Sequence, residues 1–147
     1  MKIVVQEAPF NFAAEVEDFG QGRADMGAIV TFTGVVRDND AGDLDAMEIE
    51  HYPGMTQKAL EKIASDASAR WDLGDVLIIH RYGRLEPGEK IMMVATSSPH
   101  RKDAFEAADF LMDYLKSRAP FWKKEHTGGD ASWVDAKDSD EDALNRW

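Results

Sequence analysis

The chain has 147 residues, of which 44% are hydrophobic, with 28 acids against 17 bases and no cysteine. That length supports one domain with a true core, burying roughly 70% of the unfolded surface, and no apolar run approaches the ~20 residues of a membrane helix. The absent cysteines exclude disulfides, thiolate metal sites and a cysteine nucleophile, which fits a reducing cytoplasm, and the net charge of −11 argues against nonspecific nucleic-acid binding, which works by neutralising phosphates.

"MKIVVQEAPF" sets three apolar residues after one lysine and then meets an acid, so it reads as a strand over 2–6 and not as a signal peptide. A short helix is expected over about 11–19. "GAIVTFTGVVR" (27–37) predicts a long strand in which Gly34 marks a bulge or a close backbone approach. Residues 38–50 carry six acids and no Lys or Arg. They overlap "AMEIEHY", where Met47, Ile49 and His51 alternate with Glu48, Glu50 and Tyr52. Beyond Pro53 and Gly54, a stripe of Met55, Ala59, Ile63, Ala67 and Trp71, widened by Leu60 and Ala64, predicts a helix over 55–71.

"VLIIHRYG" (76–83) and "KIMMVATS" (90–97) predict two strands, joined through "EPGE" with Pro87 and Gly88 at the centre of the turn. A second long helix is expected from about 99 to 118. Ser98 is its cap, Pro99 its first residue, and Phe105, Ala108, Leu111, Met112 and Leu115 its buried stripe. Pro120 stops it. "HTGGD" (126–130) reads as a flexible loop, "SWVDA" as a short strand, and 137–147 as a solvated acidic tail. No repeat or linker interrupts this order. One domain over 1–147 follows, an α+β fold with a mostly antiparallel sheet and two long helices.

The chemistry-bearing residues are cations in an acidic chain. Lys116 to Lys124 hold four positive charges and no negative one. Lys116 in a last helical turn suits the dipole and needs no function. Lys123 follows "PFW", where bulky apolar neighbours would lower an amine's pKa and make it a proton donor or nucleophile; the alternative is a stem packed on Trp122 with its ammonium in water. His100, Arg101 and Lys102 stand at the positive end of a helix, costing about 0.3–1 kcal/mol each. They either splay into solvent or form an anion site. Arg37, at a strand end, either offers its fork to phosphate or carboxylate or pairs with the acids after it. The four histidines have no metal-ligand spacing, so no metal site is expected, and His80, between "LII" and "RY", reads as a core or sheet residue.

Taken together, "TFTGVVRDND", "EIEHYPGMTQKAL", "IIHRYGRLEPGEK", "SSPHRKDAFEAADFLMDYLKSRAPFWKKE" and "WVDA" resemble the large, catalytic subunits of molybdopterin synthases, in order from about residue 27 to 136. The resemblance implies an α/β-hammerhead fold with a small extra β subdomain. It also implies a sulfurtransferase of molybdenum cofactor biosynthesis with no cofactor of its own. Such enzymes convert cyclic pyranopterin monophosphate to molybdopterin, installing two dithiolene sulfurs carried as a thiocarboxylate on the C-terminal glycine of a small ubiquitin-like subunit. A homodimer of large subunits then forms the centre of a heterotetramer.

The resemblance makes Lys116 and Lys123 the catalytic pair. It puts Arg37, His100 and Arg101 in the substrate pocket and Phe32 of "TFTG" beside the partner's tail. Lys137 stands where the family carries arginine, which keeps the charge but loses the bidentate fork. Val35 stands where some relatives have a base. Two rivals make fewer demands on the lysines: a non-catalytic anion- or phosphate-binding module, and a Schiff-base lyase using Lys123 alone.

Overall fold

The runs Val76–Ile79 and Ile91–Ala95 offer no polar face, so a sheet built on them must be covered on both sides. In the computed structural model, which describes residues 1–135 and 137–147, both are central strands. In chain order the elements are β1 (Lys2–Gln6), α1 (Phe12–Asp18), β2 (Ala28–Val35), β3 (Leu44–His51), α2 (Met55–Arg70), β4 (Asp75–Arg81), β5 (Gly83–Leu85), β6 (Lys90–Ser98), α3 (Arg101–Ser117), β7 (Phe121–Thr127), β8 (Asp130–Trp133) and α4 (Asp138–Ala143), followed by a 3₁₀ turn at Leu144–Arg146. One sheet has the order β1-β4-β6-β2 and the other β5-β3-β7-β8. Among the described residues only the β1–β4 pairing is parallel, so the expected α+β hammerhead arrangement, mostly antiparallel with a second smaller β layer, is the observed one.

Side-chain alternation assigns the layers. Val76, Ile78, Met92 and Val94 face Leu60, Ile63, Ala64 and Ala67 of α2 and Phe110, Leu111 and Leu115 of α3. The odd-numbered set Leu77, Ile79, Met93 and Ala95 packs on Phe19 and, from α1, Phe12 and Val16. Asn11 caps α1, its side chain accepting from Ala14 N. Leu44, Ile49 and Leu85 bring the second sheet into the helix-covered core. The β2–β6 register shifts between Gly34 and Val35, the irregularity anticipated from that glycine.

Several expectations need correction. Met55 and Phe105 are 63% and 61% exposed. Helix α3 instead buries Ala104, Ala107, Ala108, Phe110, Leu111 and Leu115. Its alanines let the helix lie close on the sheet, where Thr96 Oγ1 donates to Ala104 O at 2.7 Å, and that rotates Phe105 to the far side. Ser98 is not the cap of α3. It is the last residue of β6, paired with Ala28, so its backbone is committed to the ladder; α3 starts after His100, which makes no side-chain cap bond.

The chain after Pro120, to which no element was assigned, is strand β7 between β3 and β8. "HTGGD" is its hairpin turn to β8, because Thr127 pairs with Asp130 and both central glycines have positive φ. The strand anticipated at "SWVDA" is displaced to 130–133, and Ala136 lies outside the described residues. Nor is 137–147 a solvated tail. Arg118 holds Glu141 through two contacts of 2.7 and 2.8 Å, and Arg146 bridges Asp109 and Asp113. Trp147 meets Trp71 and Phe110 edge-on at 5.5 and 5.6 Å. Truncating Trp147 to Ala should therefore lower unfolding stability by about 1–3 kcal/mol, read from the midpoint shift in urea. A midpoint unchanged from the parent would show that the end of the chain adds nothing.

Candidate active site

Lys123 of β7 pairs in register with Ile49 of β3, which is 1% exposed. Cross-strand partners point to the same face, so Lys123 is aimed at the core side of its sheet with Phe121. Trp122 and Lys124 take the opposite face. There Trp122 meets Tyr52 edge-on at 4.8 Å and Lys124 lies over the Trp133 ring at 4.4 Å. The two consecutive lysines therefore have different environments. Burial first, and the positive charge of Lys116 second, hold the Lys123 ammonium below the usual lysine range; Lys137 acts in the same direction and Asp140 opposes it.

Three charged groups thus act on Lys123. Lys116 comes from the last turn of α3. Lys137 and Asp140 arrive because the α4 segment folds back over the end of α3, where Ser117 Oγ donates to Asp140 O at 2.9 Å. Lys137 precedes α4 and is exposed. His80, buried in β4, also feels Lys123 and Lys116. Its Nδ1 donates to Arg81 O at 2.7 Å and its ring stacks on Phe121 at 3.7 Å. Burial chiefly lowers its pKa to about 3, so it stays neutral beside the lysines, consistent with its reading as a core residue. Phe121 and Asp140 were not singled out as site residues from sequence, and His80 was read only as a core or sheet residue, because nothing local brings β4, β7 and α4 together.

The other expected site residues lie elsewhere in the subunit. His100 and Arg101 open the helix whose last turn carries Lys116, and fifteen residues of α-helix span about 22 Å. They cannot share a pocket with Lys116 within one copy. Arg37 is exposed just past β2, whose end is clamped to the "EPGE" turn by Val36 N to Glu89 O and Gly88 N to Val36 O, both 2.8 Å. Asp38 uses its Oδ1 to accept from Asn39 N and Leu44 N, which shapes the loop after Arg37. Phe32 is 45% exposed on β2, an edge strand, flanked by Ile29 and Val35 at 48% each.

Residues 5–118 match the family model described as MoaE protein. Over all 147 residues the chain is 63% identical to the molybdopterin synthase catalytic subunit of Cereibacter sphaeroides, covering 100% of both sequences. The solved molybdopterin biosynthesis MoaE protein of Burkholderia ambifaria MC40-6 superposes with a TM-score of 0.83 at 51% identity, over 100% of this chain and 98% of that one. The molybdopterin synthase structure from Staphylococcus aureus gives 0.83 at 31% identity, over 92% and 98%.

The charge arrangement is testable without turnover. In Lys116→Met one of the two leading causes of the Lys123 depression is gone, so the Lys123 amine should titrate at higher pH than in the parent. Side-chain ¹³Cε shifts of labelled lysine read this directly, and a titration that does not move would remove Lys116 from the neighbourhood of Lys123.

Proposed function

Since the chain belongs to the MoaE family, we propose that it is the catalytic subunit of a molybdopterin synthase, whose substrate is a cyclic pyranopterin monophosphate and whose sulfur donor is the thiocarboxylated C-terminus of a small ubiquitin-like partner. The observation that carries this reading is Lys123, an amine desolvated on the core side of a sheet and paired electrostatically with Lys116. An ammonium in low dielectric stabilises developing negative charge far better than one in water. A lowered pKa also makes the same amine a readier proton donor than an ordinary lysine.

Lys116 and Lys123 stabilise the charge that develops as the thiocarboxylate sulfur attacks the pterin side chain, and they deliver protons as oxygen departs. Lys137 adds positive charge at the same place, as an amine rather than a fork. Arg37, His100 and Arg101 hold the phosphate. Because His100 and Arg101 stand a helix length from Lys116, they serve the lysine pair of a second copy. Phe32, on the open edge of its sheet, lies beside the entering glycine tail.

On this reading the whole chain is one domain, two copies form the centre of a heterotetramer with two small subunits, and the enzyme works in the cytoplasm. No helix among the described residues is long and apolar enough to cross a membrane. The relatives named as molybdopterin synthase catalytic subunits favour catalysis over the binding alternative.

With the thiocarboxylated partner and pterin substrate supplied, Lys116→Ala and Lys123→Ala should each slow molybdopterin formation by about 100-fold or more. Near-parental rates in both proteins would overturn the assignment.

A further inference from the structure

We infer that His80 is a positioning residue for Lys123, acting through Phe121; this rests on the reading that Lys123 works in the transfer reaction. His80 is 6% exposed in β4. The Arg81 carbonyl can only accept, so the 2.7 Å contact with Nδ1 requires the proton on Nδ1 and fixes the tautomer and the ring plane. That plane lies 16° from parallel to the Phe121 ring, with centroids 3.7 Å apart. Phe121 is the first residue of β7 and points to the same side of the strand as Lys123, two residues on.

The consequence is a chain of fixed contacts from the central sheet to the amine. Residue 80 is held by β1 on one side and β6 on the other: the β1 register runs to Val5 opposite His80, and Met92 of β6 opposes it from the other edge. The ring carries this rigidity to Phe121, and Phe121 sets where β7 begins and how deep Lys123 sits. His51 of β3 supports the same ring from the side, 6.3 Å from Phe121 and 4.4 Å from Tyr82. An aliphatic residue at 80 would fill the space but leave the Arg81 carbonyl without this donor and Phe121 without a flat partner. A protonated imidazole would face Lys123, Lys116 and His51 with no acid among those groups. The neutral ring is thus the only form compatible with two lysines nearby.

The test separates positioning from mere support of the fold. Lys123 is faced by Lys116 of α3, Lys137 and Asp140 of the α4 segment, and His80 of β4. Loosening Phe121 admits water, and Lys123 then moves up toward ordinary lysine. In the complex with thiocarboxylated partner, His80→Leu should lower kcat about tenfold with KM within about twofold, as expected for lost alignment and not lost binding. The kcat limb belonging to Lys123 should move to higher pH. Phe121→Leu, which leaves His80 intact, should give the same shift and serves if His80→Leu folds poorly. His80→Phe, which keeps the stack and loses the Nδ1 bond, should fall between parent and His80→Leu.

The pH dependence of Lys123 acetylation by acetic anhydride, followed by mass spectrometry on the full chain, reports the amine whatever its part in turnover. If that profile shifts in His80→Leu while Lys123→Ala remains active, the positioning stands and the catalytic reading of Lys123 fails. If His80→Leu and Phe121→Leu are folded and keep the parental acetylation profile, kcat and pH limb, the inference is overturned.

Discussion

An ammonium on the inward side of a sheet is costly unless something compensates it, because transfer from water penalises the charged form. Here the residue in register with Lys123 is the buried Ile49, and the nearest charge of comparable influence is another cation, Lys116. Only Asp140 acts in the opposite sense. This is unfavourable for folding and useful for chemistry, since strained electrostatics are where a fold stores reactivity. Much of the rest can be understood as what makes that placement tolerable. Two four-stranded sheets and two long helices share one apolar core, large enough to carry a locally unfavourable charge.

The arrangement also explains why an acidic chain needs its last residues folded. With the α4 segment laid across the end of α3, both an acid and a further base come close to Lys123. The anchors are ordinary ones, a bidentate arginine–carboxylate pair and an indole packed on two aromatic rings. Exposed ion pairs contribute little each, so the aromatic contact is the stronger part of the anchor. Function and stability meet in the same turn of chain.

The sequence made the central strands, both long helices, the short helix near 11–19 and the irregularity at Gly34 legible, because each rests on local periodicity or one residue's backbone preference. It misplaced what depends on partners far along the chain. Ser98 has the chemistry of a cap, but pairing with Ala28 commits it to a strand. Phe105 has the spacing of a buried residue, but three alanines set the helix rotation instead. Strand β7 was hidden by its own composition, "FWKKEHT", in which the inward positions are an aromatic, a lysine and a glutamate. For the site, residue types and order pointed to Lys116 and Lys123, and in the fold the charge of the first acts on the second. The distance from His100 and Arg101 to Lys116 follows simply from their common helix, yet a linear motif does not display it. His80 was correctly placed inside, and only its stack on Phe121 gives that burial a purpose.

The outer edge of β2 has a consequence for the solitary chain. An edge strand leaves a row of amide and carbonyl groups unsatisfied by neighbours, and here Ile29, Phe32 and Val35 border that row in the open. Such a strand invites sheet growth with any extended peptide that reaches it. A copy whose β2 edge stays uncovered thus carries its own route to aggregation.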